Sequence, residues 1–94
     1  MLTMEHIQSG FKKIAYQYPI RKCFLFGSYA SGDATEKSDL DFLIEFHTPA
    51  ISLLTLSALK NSLENEFEVP VDVLHYPVPE DSLIKIDNMV DIYG

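Results

Sequence analysis

Ile7, Phe11, Ile14, Ala15 and Tyr18 recur at intervals of three and four, the spacing that lines up side chains on one face of an α-helix. The stripe predicts a helix over residues 3–18, with Thr3 placed to cap its start and Pro19 to stop its end. The period then changes. Lys22–Phe26 is a short apolar run leading into Gly27-Ser28, which reads as a buried strand entering a turn. Tyr29–Ala34 has room for one helical turn before Gly32-Asp33 breaks it. From Asp39 to Phe46 the residues Leu40, Phe42, Ile44 and Phe46 alternate with Asp39, Asp41, Leu43 and Glu45, the two-residue period of a strand, and Thr48-Pro49 ends it. Ser52–Phe67 is a second long helix. Leu56, Leu59, Leu63 and Phe67 form its stripe, and Leu53 and Leu54 open it. Pro70–Tyr76 is a third strand, with Val71 and Val73 on one face and Asp72 and Leu74 on the other. A short helix over Glu80–Asp87 and a last strand over Met89–Tyr93 follow Pro77 and Pro79.

Helix, strand, strand, helix, strand, helix, strand is an α/β (α+β) order. Two strands flank a long helix, which predicts a crossover unit within a small mixed sheet packed by helices. A chain of 94 residues is expected to form a single domain, 1–94.

Charge narrows the partners. Fourteen acidic residues against seven basic ones leave a net charge of −7. The basic residues are too few and too scattered for a phosphate backbone, so direct nucleic-acid binding is disfavoured. An acidic surface suits metal ions or a basic protein partner. The one cysteine, Cys23, lies in an apolar run and reads as a buried small side chain. No secretory leader and no apolar run of membrane-spanning length is expected, which points to the cytoplasm.

Asp39 and Asp41 carry the first chemical signal. Alternate residues of a strand share a face and lie roughly 6.6 Å apart. Two carboxylates placed so repel, and Asp is a poor strand former. A divalent cation between them removes the repulsion, and Mg²⁺ prefers such oxygen donors. Asp72 interrupts an otherwise apolar strand and needs either solvent or a partner. Beside the first pair it would complete a three-carboxylate set able to hold two cations about 3.5–4 Å apart, the arrangement used in phosphoryl and nucleotidyl transfer. Gly27 allows a close approach of backbone to ligand, and Ser28 offers a hydroxyl to a phosphate. Each piece alone has a plainer meaning: Gly-Ser is a turn, and Asp-x-Asp a solvated strand start. Jointly, at this spacing, they point to a nucleotide site.

The stretch from Phe24 through Gly27-Ser28 to Asp33, with Ser38-Asp-Leu-Asp-Phe-Leu-Ile-Glu-Phe, resembles the polymerase-β-like nucleotidyltransferase superfamily. Within it the chain resembles the minimal nucleotidyltransferase (MNT) antitoxins of prokaryotic HEPN/MNT toxin–antitoxin pairs, over nearly its whole length. The resemblance implies that Gly27 and Ser28 hold the triphosphate of ATP, that Asp39 and Asp41 bind Mg²⁺, two ions in all, and that Asp72 completes the metal site and helps deprotonate the acceptor. It implies an adenylyltransferase that moves AMP to a tyrosine of a HEPN ribonuclease toxin and silences it. The rival is a non-catalytic module that binds nucleotide or toxin and inhibits by complex formation. Many relatives carry Arg three residues after the motif serine. Here that position is Ser31, with Lys37 or a partner residue as possible substitutes. The short chain leaves the acceptor to be supplied by a second protein. His6, His47 and His75 show no metal spacing, and Glu64, Glu66 and Glu68 read as a solvated helix end.

Overall fold

The structure, a computed structural model, describes residues 2–75 and 89–94. Its elements are α1 (Met4–Ala15), β1 (Ile20–Phe26), α2 (Ser28–Ser31), β2 (Leu40–Phe46), α3 (Leu53–Phe67), β3 (Val71–His75) and β4 (Val90–Tyr93). The helix predicted over Glu80–Asp87 and the end of the third strand at Tyr76 lie outside the described residues.

The sheet is mixed, in the order β3-β2-β1-β4. β1 runs antiparallel to both β2 and β4, while β2 and β3 are parallel. The parallel pair follows from α3: a chain that leaves the end of one strand and returns through a helix re-enters the sheet in the same direction. One face carries the core. Ile7, Phe11 and Ile14 of α1 and Leu59, Leu63 and Phe67 of α3 bury against Leu40, Phe42 and Ile44 of β2, Leu25 of β1 and Val71 of β3. Phe42 sits between two rings, 5.2 Å from Phe11 and 6.3 Å from Phe67 by centroid. Gly10 permits this closeness. A methyl group there would stand 2.6 Å from the Phe67 ring.

The ends of the elements differ from the sequence expectation for local reasons. α1 stops at Ala15, not Tyr18. Thr3 caps it as expected, accepting from the His6 N–H at 3.1 Å. At the other end Gln17 and Tyr18 donate to Ile14 and Ala15, tightening the last turn, and Pro19 drives residue 18 out of the helical region. β1 starts two residues earlier than expected, because Ile20 pairs with Phe46 across a register shift. Ser52 caps α3 through Thr55, at 3.1 Å. Leu53 and Leu54 do not join the core stripe. They are 81% and 84% exposed, since the first turn of α3 overhangs the packed region. The acidic end of α3 is not merely solvated. Glu64 accepts from the Val71 N–H at 3.0 Å and so ties the helix to the start of β3, while Glu66 lies 3.6 Å from Lys13. Cys23 is fully buried, as expected.

Candidate active site

Phe26, Asp41 and Asp72 form a row across three strands. Phe26 pairs with Asp41 in the antiparallel β1–β2 ladder, and Asp41 pairs with Asp72 in the parallel β2–β3 ladder. Paired residues of adjacent strands project from the same face. The third-strand aspartate therefore stands on the side of Asp41, as the sequence required. By strand alternation both side chains leave the face that Leu40, Phe42 and Val71 bury, so neither carboxylate enters the core.

Asp39 departs from the expectation. It precedes β2, which begins at Leu40, so the first acidic residue of the pair belongs to the incoming loop and not to a strand. Leu40 donates to the Pro70 carbonyl at 3.0 Å, and this bond anchors the loop's end beside the start of β3. Asp39 is exposed, yet its charge still reaches Asp41.

Asp41 records the crowding. Its carboxyl is raised from 3.8 to about 6. The causes, largest first, are loss of solvent, the charge of Asp72, the charge of Asp39, and a hydrogen bond with Asp72. A carboxyl that resists ionisation beside a second carboxylate is a donor that a divalent cation would relieve, since the cation favours the charged form. Among the described residues no three acidic, His or Cys side chains converge tightly enough to form a ready-made cation cage. Asp41 and Asp72 are in contact, and Asp39 lies near enough for its charge to reach Asp41. The donor chemistry fits Mg²⁺.

Gly27 meets Asp41 directly. Its φ of 76° lies in the region open to glycine, and a side chain there would strike the Asp41 carboxylate, with the Cγ 3.2 Å away. Gly27 begins α2, a single turn that Gly32 ends in the left-handed conformation. Ser28 is half-buried at the start of this turn. Ser31, the position at which the motif resemblance led to an expected Arg, is engaged locally: its hydroxyl lies 3.0 Å from the Asp33 carboxylate and 3.3 Å from the Ser28 carbonyl. No cation is placed beside the turn by that position.

Next to the carboxylates lies a cavity of about 450 Å³. Asp41 and Asp72 form part of its wall, with Phe26 from β1 and Leu53, Ser57 and Lys60 from α3. None of these α3 residues was expected at the site from the sequence. Their apolar and basic character is ordinary for a helix surface, and only the packing of α3 against the β3 side of the sheet brings them to the site. Among the described residues Lys60 brings a cation to the cavity.

A sequence profile of the family described as polymerase beta, nucleotidyltransferase matches residues 9–89. A candidate protein adenylyltransferase of Methanocaldococcus jannaschii is 41% identical over 63 residues, 67% of this chain and 63% of that one. The protein adenylyltransferase MntA of Thermococcus cleftensis is 36% identical over 78 residues, 79% of this chain and 78% of that one. In three dimensions the fold matches a chain from the complex of a tri-AMPylated Shewanella oneidensis HEPN toxin with an MNT antitoxin. The TM-score is 0.73 at 14% identity, over 98% of this chain and 73% of that one.

Proposed function

This chain belongs to the polymerase beta nucleotidyltransferase family, and from that premise we propose that it transfers AMP from ATP to a tyrosine of a HEPN-domain toxin, which it thereby neutralises. One observation carries this: Asp41 and Asp72 are register partners on one face, hard against a glycine turn. That arrangement offers oxygen donors for cations, and next to them backbone open to a phosphate. In this role Gly27 and Ser28 hold the triphosphate, and Asp39, Asp41 and Asp72 hold two Mg²⁺ ions. Bound Mg²⁺ would neutralise charge on the triphosphate and on the leaving pyrophosphate. The protein's own part is to fix the phosphates against the turn and to accept the acceptor's proton at Asp72. The adenylyltransferase names of the relatives and the AMPylated toxin in the matching complex support the acceptor class. A reaction fed by ATP fits the cytoplasm, and among the described residues no helix is long and apolar enough to cross a membrane.

Ser31 favours the second reading, a binding module that inhibits the toxin without chemistry, because it leaves the turn without the usual cation. One experiment separates the two. A HEPN-domain protein encoded beside this chain is incubated with it, ATP and Mg²⁺, and its intact mass is measured. The expected product carries one or more AMP units, and none with Asp39→Asn/Asp41→Asn. Neutralisation by the double variant, with no mass gained from the wild type, establishes the binding module instead.

A further inference from the structure

Asp72 is the second residue of β3, and β3 is the outermost strand on its side of the sheet among the described residues. The first residues of an edge strand open readily, because one row of their backbone groups has no neighbouring strand. Here the charges add to that tendency. Asp72 is the ladder partner of Asp41, and like charges directly opposite push two strands apart. A cation site built on this pair needs the start of β3 held in place before the ion arrives.

Two bonds hold it, one on each side. Towards β2, the Leu40 N–H donates to the Pro70 carbonyl at 3.0 Å. Away from β2, the Val71 N–H donates to the Glu64 carboxylate at 3.0 Å. Glu64 also closes α3: its carbonyl accepts the Glu68 N–H at 2.8 Å, where the chain turns at a φ of 56°. One residue therefore grips both ends of the connection, the last turn of α3 by its backbone and the first residue of β3 by its side chain. Both ends of the outer bond stand on fixed ground. Leu63, next to Glu64, and Val71 itself are buried in the core.

We propose that Glu64 is a positioning residue for the carboxylate site: by holding the Val71 N–H it keeps Asp72 opposite Asp41, placed to share a divalent cation. This rests on the metal-dependent transfer proposed above. Glu64 acts through the backbone and is no ligand itself. Its task is to accept one hydrogen bond, which a neutral amide oxygen can also do. Partners that orient metal ligands in this way account for roughly tenfold to hundredfold in metal affinity or activity.

Mn²⁺, which takes the same oxygen donors, reads the site on the intact chain without nucleotide or turnover. Its binding is followed by electron paramagnetic resonance, and the backbone by amide hydrogen exchange. Glu64→Ala should raise the Mn²⁺ dissociation constant about tenfold and speed exchange at the Val71 and Asp72 amides. Glu64→Gln keeps the acceptor oxygen and should stay within about twofold of the wild type in both. Ser52→Ala controls for stability alone. It removes the cap at the other end of α3, the bond from the Thr55 N–H, and should leave the Mn²⁺ constant within about twofold. With the HEPN-domain protein as acceptor, Glu64→Ala should lower kcat about tenfold and leave the KM for that protein within about twofold. A Glu64→Ala protein that binds Mn²⁺ like the wild type overturns the proposal, and so does a Ser52→Ala protein that loses as much affinity. A Glu64→Gln protein that fails like Glu64→Ala overturns it too, since charge and not the bond then matters. In these three outcomes wild-type binding and transfer stand. A wild type that neither binds Mn²⁺ nor transfers AMP removes the proposed function along with this inference.

Discussion

Replacing Asp41 with Asn should make the protein more stable above neutral pH and leave it inactive. Asp41 is raised from 3.8 to about 6 in the folded chain. A raised acid favours its neutral form in the fold. Its contribution is therefore full below about 3.8 and is lost as pH climbs through about 6. A shift of about two units corresponds to about 3 kcal/mol if nothing screens it. Asp41 is only half-buried and opens onto the cavity, so solvent reduces the figure to about 1–2 kcal/mol. Asn is a neutral mimic of the protonated acid, and its amide can donate to Asp72. The variant should match the wild type at pH 4 and gain about 1–2 kcal/mol at pH 7.5. For a domain of this size that is roughly 4–16 °C in Tm. Urea melts at the two pH values, without divalent cation, measure it. An equal change at both pH values, or a loss at pH 7.5, would refute the electrostatic origin of the effect and with it the close approach of the carboxylates.

Other outcomes follow from the same geometry. Mg²⁺ should raise the wild-type Tm, with about 2.7 kcal/mol at one hundred times its Kd, and should do little for Asp41→Asn; a thermal melt series with and without EDTA checks this. Gly27→Ala places a methyl against the Asp41 carboxylate at a positive-φ backbone conformation that essentially only glycine adopts, so it should cost about 1–3 kcal/mol and abolish AMP-PNP binding by calorimetry. Glu68 caps α3 at φ 56°, and Glu68→Gly should gain up to about 1 kcal/mol in urea melts. Burial pushes the Cys23 thiol well above its usual value, with the Asp91 charge adding to the effect, so Ellman's reagent should label it only in denaturant.

Local pattern carried much of this architecture. The alternation Leu40–Phe46 and the stripe Leu59–Leu63–Phe67 locate β2 and α3, and the helix between two strands implies their parallel pairing. Asp72 was legible because a lone acid in an apolar strand asks for a partner. Other features depend on contacts far apart in the chain. The placement of β4 beside β1 is one. The bond from Val71 to Glu64, which turns an acidic helix end into an anchor, is another. Lys60 differs from any surface lysine only by lining the cavity beside Asp41 and Asp72. Asp39 kept its place in the motif but lost its strand, because the ladder begins where Leu40 meets Val71.

Gly27 and Asp41 are held together by the pairing of Phe26 with Asp41, not by the segment that joins them. The ladder acts as a ruler, and the loop between its ends, which folds into its own hydrogen-bonded turn at Thr35–Ser38, does not set that distance. Lengthening residues 34–37 should leave the distance between turn and carboxylate untouched, since doubling a flexible loop costs only about 0.6 kcal/mol in closure entropy. This stretch is thus a natural place to graft a reporter peptide, one that would watch the nucleotide arrive without disturbing its seat.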